Sequence, residues 1–247
     1  MEPVSSWRLP VAGCRPRHPD VRVLSASGNR QQPTGNALLC LPLAILLIAA
    51  SPANLIDRAH REIRIPATVQ PSAMSRPFGV QGHHAIVWKG GKSKYWALFV
   101  SDVSDHDVRL ALDALGAQRV ENLTEATWSE RENPASREPD KRVEGTPVDI
   151  FVEWGGRRVP LADLVAEKGK PRPALDFRYG GNERWQKDFR SGCIVCLYSC
   201  PGGAVGNHEH PIRDYVHDGV VYSSVPEKLP PAGTKVTIIL KPRLEGT

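Results

Sequence analysis

Apolar and polar positions first organise into clear elements after about residue 77. Segments 84–88 (HAIVW) and 95–100 (YWALFV) flank Lys89-Gly90-Gly91-Lys92 and predict a β-hairpin, with the glycine pair supplying positive φ. Val108, Ala111, Leu112 and Leu115 recur at helical spacing between Ser104, an N-cap residue, and Gly116, a C′ residue. Val148, Ile150 and Val152 alternate, and Gly155-Gly156 turns the chain toward Arg158-Val159 in a second hairpin pattern. A short helix is expected over 162–167, and further strands over 175–179, 193–198, 219–223 and 235–240. Strands outnumber helices. The expectation is an α+β domain over 77–243: a mainly antiparallel sheet built from hairpins, with one well-formed helix packed on it.

Other stretches lack such periodicity. Segment 121–145 is rich in Glu, Arg, Asn, Pro and Ser and reads as a solvated insertion, its charges serving solubility. Segment 54–76 carries only a short Ile63/Ile65 alternation among Pro and Arg and reads as a linker. The run 37–50 (ALLCLPLAILLIAA) is unbroken apolar sequence, shorter than the roughly 18–20 residues of a comfortable bilayer span and matched to a signal-peptide core. Ser51, Pro52 and Ala53 offer small residues for cleavage, so 37–53 is expected to be a signal peptide or membrane anchor outside the folded domain. Residues 1–36 form a basic, disordered extension whose arginines outnumber its acids, which keeps the N-terminus inside and sends the domain into the cell envelope.

Charge changes this picture little. The 247 residues carry a net charge of +5, but acidic and basic residues are interleaved, so the surface reads as mixed and nucleic acid is not an expected partner. No G-x-S-x-G, H-E-x-x-H or Walker A motif is present, and hydrolase and nucleotide-binding readings have no positive support.

The chemistry concentrates in Cys193, Cys196, Cys200 and Pro201, the last part of the C-x2-C-x2-C-x3-C-P run of ferredoxins, with Arg190 where the first cysteine would stand. Thiolate and imidazole together suit zinc or iron, which brings in His208 and His210 as further ligand candidates. Extended at about 3.3 Å per residue, Cys193 and Cys200 would stand roughly 23 Å apart, so a shared ion requires a turn. A strand instead sets Cys196 and Cys200 on one face, as buried thiols or a disulfide. His83 and His84, adjacent on a strand, point to opposite faces. Three readings follow: a metal- or iron–sulfur-binding redox protein with a partner protein, an envelope binding or structural module, and a thiol-redox enzyme.

The run 192–203 (GCIVCLYSCPGG), the helix motif SDHDVRLALDALGA, GTPVDIFVEW and the closing LPPAGTKVTIIL resemble the YdjY-domain family over about 77–242. The resemblance implies an envelope-associated, ferredoxin-like protein in which Cys193, Cys196 and Cys200 form a cofactor site.

Overall fold

A computed structural model describes residues 52–70, 74 and 82–244. The segment 37–51 and the basic extension lie outside the described residues; Pro52 and Ala53 belong to a 3-10 turn, Pro52–Leu55. Among the described residues no helix is long and apolar enough to cross a membrane.

In chain order the strands are β1 (Ile56–Asp57), β2 (Glu62–Val69), β3 (His84–Trp88), β4 (Ala97–Ser101), β5 (Val148–Trp154), β6 (Arg157–Pro160), β7 (Val165–Glu167), β8 (Phe177–Tyr179), β9 (Cys193–Cys196), β10 (Gly203–Asn207), β11 (Tyr222–Ser224) and β12 (Lys235–Pro242). The helices are α1 (Asp105–Ala114), α2 (Glu125–Ser129) and α3 (Glu183–Phe189). Ten strands form one mixed sheet, ordered β6-β5-β12-β2-β4-β3-β9-β10-β8 with β1 on β2; β7 and β11 make a separate ribbon.

This corrects the expected mainly antiparallel sheet of hairpins with one helix. β3 pairs with β4 in parallel, as β9 does with β10. The stretch read as the first hairpin is therefore two parallel strands: residues 89–96 do not turn the chain back but carry it, through the 3-10 turn Lys92–Trp96, to the other end of the sheet. Parallel neighbours usually need a crossover of about a dozen residues or more. Both links here are shorter, 89–96 and 197–202. Gly91 allows the first, because a Cβ there would stand 2.3 Å from the Ser191 carbonyl oxygen.

The expected linker is also corrected. Ile63, Ile65, Ala67 and Val69 of β2 are fully buried, and β2 sits mid-sheet between β12 and β4. Pro66 is tolerated in so central a strand because its carbonyl accepts from the Asp102 N–H, which lies just past the end of β4. Its missing donor therefore faces the same flank beyond the ladder.

Other elements form as their sequences dictate. In α1 the Ser104 hydroxyl oxygen accepts from the Asp107 N–H at 3.0 Å, and Asp105 and Asp107 face the positive helix end. Its C-terminus closes with Gly116 at φ +89° and an Ala117 N–H donated to the Leu112 carbonyl, the pattern of a Schellman motif. Val108, Ala111 and Leu112 bury against the sheet. β5 and β6 form the second hairpin, with Gly155 and Gly156 both at positive φ. The segment 162–167 is a 3-10 turn, Leu161–Asp163, followed by β7, not a helix.

Segment 121–145 is not a solvated loop. Leu123, Thr127 and Val143 are buried, and α2 lies within it. The Asn122 side chain ties its two ends together, donating to the Arg142 carbonyl and accepting from the Glu144 N–H. Arg213 clamps it from outside through Asp140 and the Asn133 carbonyl. Several of its charges thus hold the segment in place.

Candidate metal centre

The parallel register of β9 and β10 brings the cysteines together. Gly203 pairs with Cys193, and Gly206 with Cys196. The chain leaving Cys196 must return to the Cys193 end before β10 begins, so the link 197–202 folds back over the sheet and carries Cys200 with it. That return supplies the turn a shared ion requires. Small residues make room: a Cβ on Gly203 would lie 3.1 Å from Cys196 Cβ, and one on Gly202 would lie 3.7 Å from Cys200 Sγ. Ser191 pins the arrangement by donating its hydroxyl to the Gly202 carbonyl at 2.6 Å and accepting the Cys193 N–H at 3.2 Å. Gln186 of α3 donates to the Cys193 carbonyl at 3.0 Å.

On its other side β9 pairs with β3, and this ladder is bulged: His84 pairs with Cys196, Ile86 with Val195 and Val87 with Cys193. A bulge re-aims side chains. His83 and His84 consequently do not diverge to opposite faces; their rings lie 3.8 Å apart. Two groups of potential ligand atoms result, each with all members within 4.8 Å of one another: His83, Cys196 and Cys200, and His84, Cys193 and Cys196. His84 Nδ1 stands 3.2 Å from Cys193 Sγ.

His208 and His210 are elsewhere and join neither group. His208 Nδ1 bonds the Val143 carbonyl at 2.8 Å. His210 is held between Asp214, 2.8 Å from Nδ1, and Glu167, 3.4 Å from Nε2. Sequence reasoning thus found the three thiols and missed their two imidazoles. The only trace of these was a histidine pair opening an apolar strand.

All three thiols are free and buried. Burial pushes the Cys193 and Cys196 thiols up, Cys196 further because Cys193 bonds to it; the bond from Cys196, then burial, raises Cys200. Burial, reinforced by His83, holds His84 well below the usual imidazole range, which leaves it neutral. Neutral imidazole is the ligand form, and an ion entering here displaces thiol protons. The donor set therefore fits a thiophilic or borderline ion.

One side of the centre opens. A cleft of about 360 Å³ is lined by His83, His84, Cys200, Trp96, Trp128 and Tyr215, among others. Trp128 and Tyr215 stack at 6.0 Å, and the Arg131 guanidinium covers the Trp128 ring at 4.4 Å. The segment 121–145 thus supplies an aromatic wall of the site.

The mixed sheet thus brings together Cys193 and Cys196 of β9, Cys200 of the link that follows it, and His83 and His84 at the start of β3, a thiolate–imidazole donor set. The YdjY domain model matches residues 55–241, and the chain belongs to the YdjY-domain family. It is 29% identical over 126 residues to the uncharacterized protein YdjY of Escherichia coli (strain K12), a match covering 50% of this chain and 51% of that protein. The chain thus spans about half the length of that curated relative. No solved structure matches it.

Proposed function

We propose that this is an envelope metal-binding protein whose centre is built from Cys193, Cys196 and Cys200 with His83 and His84, and whose role is metal binding, with electron exchange where the ion held is redox-active, and not catalysis. The convergence of three thiols and two imidazoles from strands distant in sequence carries this reading. An incidental cluster of buried thiols does not need imidazoles, whereas mixed thiolate–imidazole sets are among those that hold zinc- or copper-type ions. The donor spacing supports separate ions over an iron–sulfur cluster, since ligand atoms within 4.8 Å of one another match bonds of about 2.0–2.3 Å to one ion. A cluster core placed between them would have to push them apart.

Delivery to the envelope through 37–53 belongs to the same proposal and rests on the apolar run and its basic flank. The aromatic cleft that reaches Cys200 is the side on which a redox partner protein would approach. The test is metal, acid-labile sulfide and visible absorption measured on the full-length chain purified from membranes in detergent. Bound zinc or copper without sulfide, diminished in Cys200→Ser and abolished in Cys196→Ser, is the expected result; copper is the outcome that supports electron exchange, zinc supports metal binding alone, and sulfide with iron would replace either by a cluster. Metal-free protein in which Cys193, Cys196 and Cys200 titrate as free thiols would sink the metal reading and leave an envelope binding module.

A further inference from the structure

The five donors do not converge on one point. A tetrahedral ion with sulfur at about 2.3 Å needs four ligand atoms roughly 3.8 Å apart from one another. Here the donors form two groups of three that meet only at Cys196, and Cys193 and Cys200 never share a group. This follows from the fold. Cys193 lies in β9 with its Sγ 3.2 Å from His84 Nδ1, Cys200 rides on the returning link within reach of His83, and Cys196 ends the strand between them.

We infer that the centre holds two metal ions bridged by the Cys196 thiolate, an inner one on His84 and Cys193 and an outer one on His83 and Cys200. This rests on the metal-binding reading and specifies its nuclearity. Each ion has three protein donors, the number found where a fourth position is left for an exchangeable ligand. For the outer ion that position faces the cleft lined by His83, Cys200, Trp128 and Tyr215. Of the inner ion's donors only His84 also lines that cleft, while Cys193 and the shared Cys196 are buried behind it. Loading with two divalent ions releases three thiol protons to solvent, while both imidazoles bind neutral.

The test is titration of the reduced, metal-free full-length protein with Co(II), followed by thiolate-to-metal absorption and electron paramagnetic resonance. Absorption is expected to rise to two equivalents. The resonance should grow through the first equivalent and fall with the second, because two high-spin ions sharing a thiolate couple magnetically. A chelator should then remove one equivalent rapidly through the cleft and the other at least tenfold more slowly. Cys193→Ser and Cys200→Ser should each retain one equivalent, and Cys196→Ser neither at comparable affinity. Saturation at one equivalent, or two uncoupled ions in the wild-type protein, overturns the bridged pair while leaving a metal protein; this outcome stands even where a variant fails to fold. No binding at all overturns both readings.

Discussion

Gly91→Ala tests the close approach of the β3–β4 link to residues 191–192, the segment that leads into β9 and its cysteines. Gly91 has φ −75° and ψ 150°, which alanine adopts freely, so the substitution carries no dihedral penalty. Its Cβ, however, would lie 2.3 Å from the Ser191 carbonyl oxygen and 2.6 Å from Gly192 Cα. Both are backbone atoms and cannot rotate away. The Lys92 and Ser93 N–H groups donate to the Arg190 and Ser191 carbonyls at 3.0 and 3.1 Å, so separating the strands also stretches these bonds. Overpacking costs about 1–3 kcal/mol, and rigid neighbours place this site at about 3. At roughly 2–4 °C per kcal/mol for a domain of this size, the melting temperature should fall by about 6–12 °C. The control is Gly116→Ala, where φ is +89° but nothing lies within 4 Å; strain alone predicts about 1–2 kcal/mol. Urea unfolding measures both, and thiol titration under native conditions should show Cys193 reacting faster in Gly91→Ala. Stability within about 0.5 kcal/mol of wild type, with unchanged thiol protection, would refute the claim that this contact positions β9.

Further outcomes follow from other sites. His83→Ala should weaken metal binding at least tenfold, whereas His208→Ala should leave stoichiometry and affinity unchanged; equal effects in a competition titration would contradict the ligand assignment. Tyr179→Phe removes a 2.8 Å bond to the Asp113 carboxylate from a fully buried ring, and urea unfolding should show a loss of about 1.5 kcal/mol. Burial alone would raise the Glu62 carboxyl, but bonds from Arg158 and Arg64 outweigh it and hold it below the usual range. A depressed folded value means the stabilisation is complete above the unfolded value near 4.5 and is lost as pH falls through the folded one. Glu62→Gln should therefore cost about 1–2 kcal/mol at neutral pH, reduced by solvent screening of the two arginines, and should flatten the fall of the urea midpoint below pH 4.5. A parallel fall in wild type and variant would remove Glu62 from the acid response.

The sequence made α1 and the β5–β6 hairpin legible because their signals are local: a capping serine and a C′ glycine, or a glycine pair between alternating strands. β2 was obscured by Pro66, which argues against a central strand unless one knows that its missing donor faces past the end of β4. α3 is seven residues long and presents too short an apolar period to register. The parallel pairs were illegible for a different reason. Alternation reports which face a residue occupies but not the direction of its neighbour, and a glycine turn between two strands normally signals reversal.

The same ambiguity decided how the candidate centre was read. C-x2-C-x3-C on a continuous strand separates the thiols, whereas the run on a strand followed by a return over the sheet gathers them. Leu197 and Tyr198 favour the strand locally, and nothing in their composition announces the return. It is enforced from a distance: the Ser199 N–H donates to the His210 carbonyl, and the Ser199 hydroxyl bonds the Val143 N–H and Asn207 carbonyl. Ser199 is fully buried, so the polar partners that bend the link come from segment 121–145 and from the chain after β10. The segment that looked most like solvated filler therefore helps bring Cys200 to Cys196, and through Trp128 it also walls the cleft above them. Ser199→Ala isolates this dependence. It leaves every proposed ligand in place but strips the buried Val143 N–H and Asn207 carbonyl of their partner, at about 1–3 kcal/mol. Co(II) bound to His83 and Cys200 should weaken with it, while the ion on His84 and Cys193, fixed by the β3–β9 ladder, should keep its affinity.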